Sequence, residues 1–249
     1  SKTPSGSRVH KLMSVHNLAL GCKSGPEKVA FSMRAAYASG SAIAQGDFVR
    51  GFSDVHRDAL LVAVRARWPE SLRAFQYFYT DPSWVLLNHT DDNGLTHYTI
   101  ALNGDGTRMG CAWGSAGFGL VAHHFIYDPI AAEFPKSGLE AICDDTLSQL
   151  HPDDFNGDWQ ALYRYYSDYQ AAVLDKGAPV GCTPNWAKAF FLLPPGAPDP
   201  DADIDFPPGV TIKRDGLVVA GTPIGTEAFI EAHAYATTAE YLRLNEPLV

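Results

Sequence analysis

Acidic side chains are the residues whose placement in this sequence most demands a chemical reason. Three Asp-Asp pairs occur. Asp91-Asp92 stands beside Asn93-Gly94, where short polar side chains stabilise a tight turn, and Asp153-Asp154 follows His151-Pro152 at a helix start, where caps are expected. Asp144-Asp145 has no such local use: Ala141, Ile142 and Cys143 precede it and a β-prone stretch follows. Like charges in a half-buried hairpin are costly unless cations neutralise them. Asp47 is the second oddity, an acid ending an apolar strand-like run and followed by Phe48, Val49 and Phe52. Two strand-end acids from distant parts of a chain are what a two-metal phosphoryl-transfer site requires. Each Mg²⁺ wants hard oxygen ligands from one or two carboxylates, with substrate phosphates and water completing its octahedron. Solvated surface acids are the competing reading.

Other signals carry less. Gly104-Asp105-Gly106-Thr107-Arg108-Met109-Gly110 almost spells a dinucleotide loop, but its third glycine is one residue late and no acid sits on a following strand end. Trp113-Gly114-Ser115-Ala116-Gly117 has Trp where a nucleophile elbow needs Gly. His123 and His124 are helix neighbours about 100° apart and cannot both face one metal; one of them is expected as a hydrogen-bonded core residue. Cys22, Cys111, Cys143 and Cys182 form no C-x-x-C pair, so they read as four buried thiols in a reducing compartment. The 249 residues are 46% apolar and 19% charged, an ordinary globular composition, with no run of 18 uncharged apolar residues to span a membrane. The net charge of −9 argues against a chain whose main partner is a nucleic-acid backbone. No basic-then-apolar leader follows Ser1, which reads as a processed or excised piece.

These residues must be positioned by the elements around them. Residues 1–17 are polar and aperiodic and read as an arm, mobile or packed on. Val29, Met33 and Ala36 set a helix from Pro26 to about Ala38, and 41–48 reads as a short buried strand. A helix is expected from about Asp54 to Arg67, ended by Pro69. Trp84–Asn88 and Leu95–Leu102 flank Asp91-Asp92-Asn93-Gly94, a strong hairpin signal. The apolar segment after Gly110 reaches Phe134 and is long enough for a buried helix. Leu139–Leu150 reads as a second hairpin with both aspartates at its tip, and Trp159 to Leu174 as an amphipathic helix. Residues 194–208 read as an extended, solvated Pro-rich loop. Val210–Lys213 and Leu217–Ala220 read as a third hairpin around Arg214-Asp215-Gly216, with a helix from Thr226. Local hairpins between helices predict an α+β fold, an antiparallel sheet with helices on one face.

With the order in place, the chain resembles the palm of reverse transcriptases, closest to those of protist non-LTR retroelements. The first palm motif looks like Asp47-Phe48-Val49-Arg50-Gly51-Phe52-Ser53-Asp54-Val55-His56-Arg57. The next, a Gln-Gly turn entering a Gly-rich helix, is similar to Arg108-Met109-Gly110-Cys111-Ala112-Trp113-Gly114-Ser115. The double-aspartate hairpin resembles Ala141-Ile142-Cys143-Asp144-Asp145, the N-x-x-K element Asn185-Trp186-Ala187-Lys188, and the G-x-P-I-G element Gly221-Thr222-Pro223-Ile224-Gly225. Gly21-Cys22-Lys23-Ser24-Gly25-Pro26-Glu27 is similar to the Gly-rich approach to the first motif. The resemblance covers roughly 18–232, leaving 1–17 as an arm and 233–249 as a tail. It implies an antiparallel polymerase-palm sheet of ferredoxin/RRM-like type, with fingers and thumb largely missing.

It also implies roles. Asp47, Asp144 and Asp145 would hold Mg²⁺, and Lys188 would lie near the triphosphate as a point charge or proton donor. The backbone of Phe48 could add an oxygen ligand. Phe52 takes the sugar-gate position, where a ring clashes with a ribose 2′-hydroxyl, and Met109 and Gly110 face the incoming nucleotide or template. Met109 stands where the family has Gln, and Ile142 where it has an aromatic. Two functions follow. One is an RNA-directed DNA polymerase palm with RNA template, DNA primer, dNTP and Mg²⁺. The other is a domesticated, inactive palm, without cofactor, whose partners are other protein subunits of an assembly.

Overall fold

A computed structural model describes residues 16–18, 22–108 and 111–244. Among these, five strands form the main sheet in the order β4-β5-β1-β6-β7: β4 Glu140–Ile142, β5 Asp145–Leu150, β1 Ala42–Gly46, β6 Phe190–Leu192 and β7 Thr211–Lys213. β4/β5, β5/β1 and β1/β6 are antiparallel, and β6/β7 is parallel. Two hairpins stand apart from it, β2 Ser83–Thr90 with β3 Thr96–Asn103, and β8 Gly216–Val219 with β9 Thr222–Gly225. The α+β class read from the sequence is the class found.

Side-chain alternation decides how the sheet is covered. Ile43, Leu147 and Leu192 share one face and pack on α1 (Gly25–Ala38) through Val29, Met33 and Tyr37, with Leu217, Val219 and Ile224 of the small hairpin closing the cluster. Ala42, Ala44, Leu150 and Phe191 share the other face with the larger cluster of Leu60, Phe75, Phe118, Tyr127, Tyr163 and Tyr166. These come from α3 (Arg57–Arg67), α4 (Leu72–Tyr79), the segment from α5 (Ala112–Val121) through a π-helical stretch (Ala122–Tyr127) into α6 (Asp128–Glu133), and α7 (Trp159–Gly177). Helices therefore cover both faces rather than one. β1 turns Ala42 and Ala44 to one side and Ile43 to the other, and α1 is needed to keep Ile43 from water.

Further expectations change. The helix expected over 54–67 is split into a turn α2 (Gly51–Asp54) and α3, because Val55 is extended. Its carbonyl accepts from Gly106 N–H at 2.8 Å, and His56 N–H donates to Val180 O at 3.0 Å, so tertiary bonds replace helical ones. The hairpin expected around Arg214-Asp215-Gly216 does not form. Thr211–Lys213 pairs in parallel with β6, and β8 instead turns at Ala220-Gly221 into β9. The 194–208 loop is irregular but not fully solvated. Ala197 is buried, and Phe206 packs against Tyr163, Tyr166 and Phe191. The last described element, α8 (Glu227–Leu244), runs across the boundary drawn at 233. No described helix is long and apolar enough to cross a membrane. Among the cysteines only Cys182 is buried; Cys22, Cys111 and Cys143 are half-buried, and all four are free.

Candidate active site

β1 and β5 bring the two acidic positions together. Their register runs from Ala42–Leu150 to Gly46–Thr146, so one step past the last pair Asp47 falls opposite Asp145. β4 pairs with β5 up to Ile142–Asp145, which leaves Cys143 and Asp144 as the two-residue turn at the same end of the sheet. Hairpin registry thus fixes three carboxylates at neighbouring strand tips, although Asp47 lies about a hundred positions from the other two. The tip is constrained, with Cys143 at φ +58°.

A third segment closes the site. Val49 N–H donates to Thr183 O and Asn185 N–H to Asp47 O, both at 2.8 Å, so the chain at 183–185 runs beside the end of β1. That course depends on Gly181, whose φ is +82° and where a Cβ would come within 1.9 Å of Asp54 O. It delivers Lys188, whose Nζ donates to Asp47 Oδ2 at 2.9 Å. The Asp47 side chain is 14% exposed and that of Lys188 67%.

Among the described residues one cation, Lys188, faces three carboxyls, and burial with the excess of negative charge raises the hold of Asp144 and Asp145 on protons. Burial, then the charges of Asp144 and Asp47, push Asp145 up to about 6, against a smaller pull from Lys188. Asp144 is raised as well, by burial and then by Asp47. The hydrogen bond to Asp47 raises the Lys188 ammonium. These are hard oxygen donors with uncompensated negative charge, a donor set suited to Mg²⁺ in chemistry. They do not yet close on a point: among the described residues no three His, Cys, Asp or Glu side chains form a ready metal cage. Lys188 pairs with one Asp47 oxygen.

The remaining candidates are placed as follows. Phe48 is buried, bridges to Pro184 and meets Phe118 edge-on with ring centres 6.3 Å apart. Phe52 is half-buried and stacks on Phe118 at 4.7 Å, so packing against the core fixes its ring. Met109 and Gly110 lie outside the described residues. His123 is the buried histidine of its pair and bonds Asp128 through Nδ1 at 3.2 Å. Sequence reasoning missed Asn17, whose buried side chain grips the Cys143 turn. Nothing local marks it, since its partner lies 126 positions away.

No family model matches the sequence, and no curated protein does. Solved structures match the fold. Telomerase from Candida albicans, in complex with the TWJ fragment of telomeric RNA, aligns with a TM-score of 0.53 at 11% identity over 80% of this chain and 36% of its own. Apo telomerase from Candida tropicalis gives 0.54 at 8% identity over 90% of this chain and 38% of its own. The form of it truncated from the C-terminal domain gives 0.55 at 8% identity over 90% and 43%. This chain therefore spans about two fifths of the telomerases it resembles. Its fold is reverse-transcriptase-like, of the kind seen in telomerase.

Proposed function

We propose that this chain is a reverse-transcriptase palm that adds deoxynucleotides to a primer on an RNA template. The motif order supports a likeness to the enzymes of protist non-LTR retroelements. One observation carries the reading: the β1/β5 register that sets Asp47 opposite Asp145, with Asp144 in the adjoining turn. Asp47, Asp144 and Asp145 would hold Mg²⁺, which when bound supplies charge neutralisation for the triphosphate and a more acidic primer 3′-hydroxyl. The protein's own parts then act simply. The carboxylates bind and orient. Lys188, released from Asp47, offers its ammonium to the triphosphate or its leaving group. Phe52, fixed by its stack on Phe118, excludes a ribose 2′-hydroxyl. RNA binding by the Candida albicans telomerase agrees with this reading without extending to this chain.

Primer extension on an RNA template with Mg²⁺ or Mn²⁺ tests it. Extension by the unmodified chain, abolished in Asp144→Ala, is the expected result; none under any condition leaves the reading without support.

A second reading has its own observation. Trp84, Leu86, Tyr98, Ile100 and Leu102 share one face of the β2–β3 ribbon, each more than half exposed. Together they present on the order of 600 Å², as large as the biggest apolar patch on an ordinary monomer. With a net charge of −9, such a surface suits a structural subunit in a protein assembly better than a solitary polymerase.

A further inference from the structure

Asn17 is fully buried, and both polar atoms of its side chain reach Cys143. Nδ2 donates to the Cys143 carbonyl at 3.1 Å, and Oδ1 accepts from Cys143 N–H at 3.3 Å. The Tyr127 hydroxyl adds a bond to the same carbonyl at 3.4 Å. Cys143 is the left-handed residue of the β4–β5 turn, with φ +58°, and the next residue is Asp144. A residue with a Cβ holds that conformation only when its surroundings over-determine it.

The segment carrying Asn17 is itself fixed. Ala141 N–H donates to His16 O at 2.6 Å and Leu18 N–H donates to Ala141 O at 3.0 Å, so Asn17 bridges in parallel to the outer edge of β4. A ring nitrogen of His16 lies 3.2 Å from Leu139 O, and its ring stacks on that of His123. The amide is thus presented from a paired backbone, and the residues expected to form a packed-on or mobile arm include a built-in support for the acidic turn.

We propose that Asn17 is a positioning residue: its side chain holds the Cys143 turn in the left-handed conformation and thereby sets Asp144 at the strand tips beside Asp47. The inference rests on reading Asp47, Asp144 and Asp145 as ion ligands. Asn17 touches no substrate and does its work through Cys143.

The test uses the full chain with Mn²⁺ as probe, titrated by loss of its free EPR signal. Asn17→Leu, which matches Asn in branched shape, removes both bonds to Cys143 and weakens Mn²⁺ about tenfold, the lower end for a group that orients a metal ligand. Cys143→Gly in that background restores most of the affinity, because Gly takes φ +58° without help. Unchanged affinity in Asn17→Leu, or a loss that Cys143→Gly does not repair, overturns the proposal. Asp144→Ala is the control: Mn²⁺ binding that survives it refutes the ion-ligand reading instead. Hydrogen exchange of the 141–147 peptide needs no metal. Faster exchange in Asn17→Leu, slowed again by Cys143→Gly, supports the clamp, and equal exchange in all three proteins overturns it.

Discussion

Lys188 and Asp47, 141 positions apart, meet at 2.9 Å across the mouth of the sheet. The ammonium is two-thirds exposed and the carboxylate largely covered, so the pair is anchored from the strand side. Lys188→Met removes the one cation that, among the described residues, pairs with the trio. It lowers Tm slightly in EDTA, and added Mg²⁺ closes the gap with wild type. Differential scanning calorimetry with and without metal reads this; a deficit unchanged by Mg²⁺ argues against shared occupancy of the Asp47 oxygen.

Crowded carboxyls work in the opposite direction. Asp145 in the folded chain holds its proton up to about 6, so its ionisation costs the fold stability as pH rises from the ordinary carboxylate range, near 4, through 6. In metal-free buffer, Asp145→Asn raises Tm at pH 7.5, and the gain vanishes toward pH 4, where wild type is protonated too. A gain that persists at pH 4 points to packing rather than charge.

Asp128 has the opposite sign. Burial pushes its carboxyl up, but hydrogen bonds from His123 and from Arg67, the latter at 2.6 Å, outweigh that and hold it at about 2. Its contribution is therefore fully present above the usual carboxylate range and is lost as pH falls from near 4 toward 2. Asp128→Asn costs about 1 kcal/mol at neutral pH, a figure kept small because the side chain is 41% exposed and solvent screens the pair. Chemical denaturation at pH 7 and pH 2.5 checks it, and the difference between the two proteins shrinks at the lower pH.

Phe52 separates selectivity from stability. Its stack on Phe118 is worth about 1 kcal/mol, whereas Phe118 is fully buried and Phe118→Ala costs about 3–5 kcal/mol. Phe52→Val should leave the fold intact and raise ribonucleotide incorporation relative to deoxynucleotide. Steady-state incorporation ratios decide; no change in the ratio removes Phe52 from the sugar site.

Gly181 tests the third segment. With φ +82° and Asp54 O in the space of a Cβ, Gly181→Ala destabilises by about 2 kcal/mol or more. Equilibrium urea unfolding measures it. An unperturbed midpoint would show that the 181–185 path can shift, and with it Lys188.

What the sequence discloses depends on how local the cause is. The β1 strand and the Asp144 hairpin are legible because each acid interrupts an apolar run at a strand end, and Asp91-Asp92-Asn93-Gly94 because turn chemistry lies within four residues. Thr211–Lys213 misleads for the converse reason. Arg214-Asp215-Gly216 is a fair local hairpin signal, but Thr211 N–H donates to Ala189 O and Lys213 O accepts from Leu193 N–H, each at 2.9 Å. Arg214 is drawn away to Ala197 O and Asp199. Tertiary pairing overrides the local preference. The break at Val55 and the grip of Asn17 are invisible for the same reason, since Gly106, Val180 and Cys143 lie far along the chain. Helical cover on both faces was readable in part: Ile43 between Ala42 and Ala44 already makes β1 apolar on either side.

The order of the sheet also sets a timetable for synthesis. β1 sits between β5 and β6, yet β5 ends at residue 150 and β6 at 192. At translation speeds of about 5–20 residues per second, the first edge of β1 waits roughly 5–20 s after leaving the ribosome and the second still longer. For that interval Ala42, Ile43 and Ala44 form a strand with two open edges, whose faces are covered by α1 and, as they emerge, by α3 to α6. A nascent chain arrested before residue 188 would hold its acids without Lys188, and such arrested chains are where chaperone dependence and aggregation should concentrate.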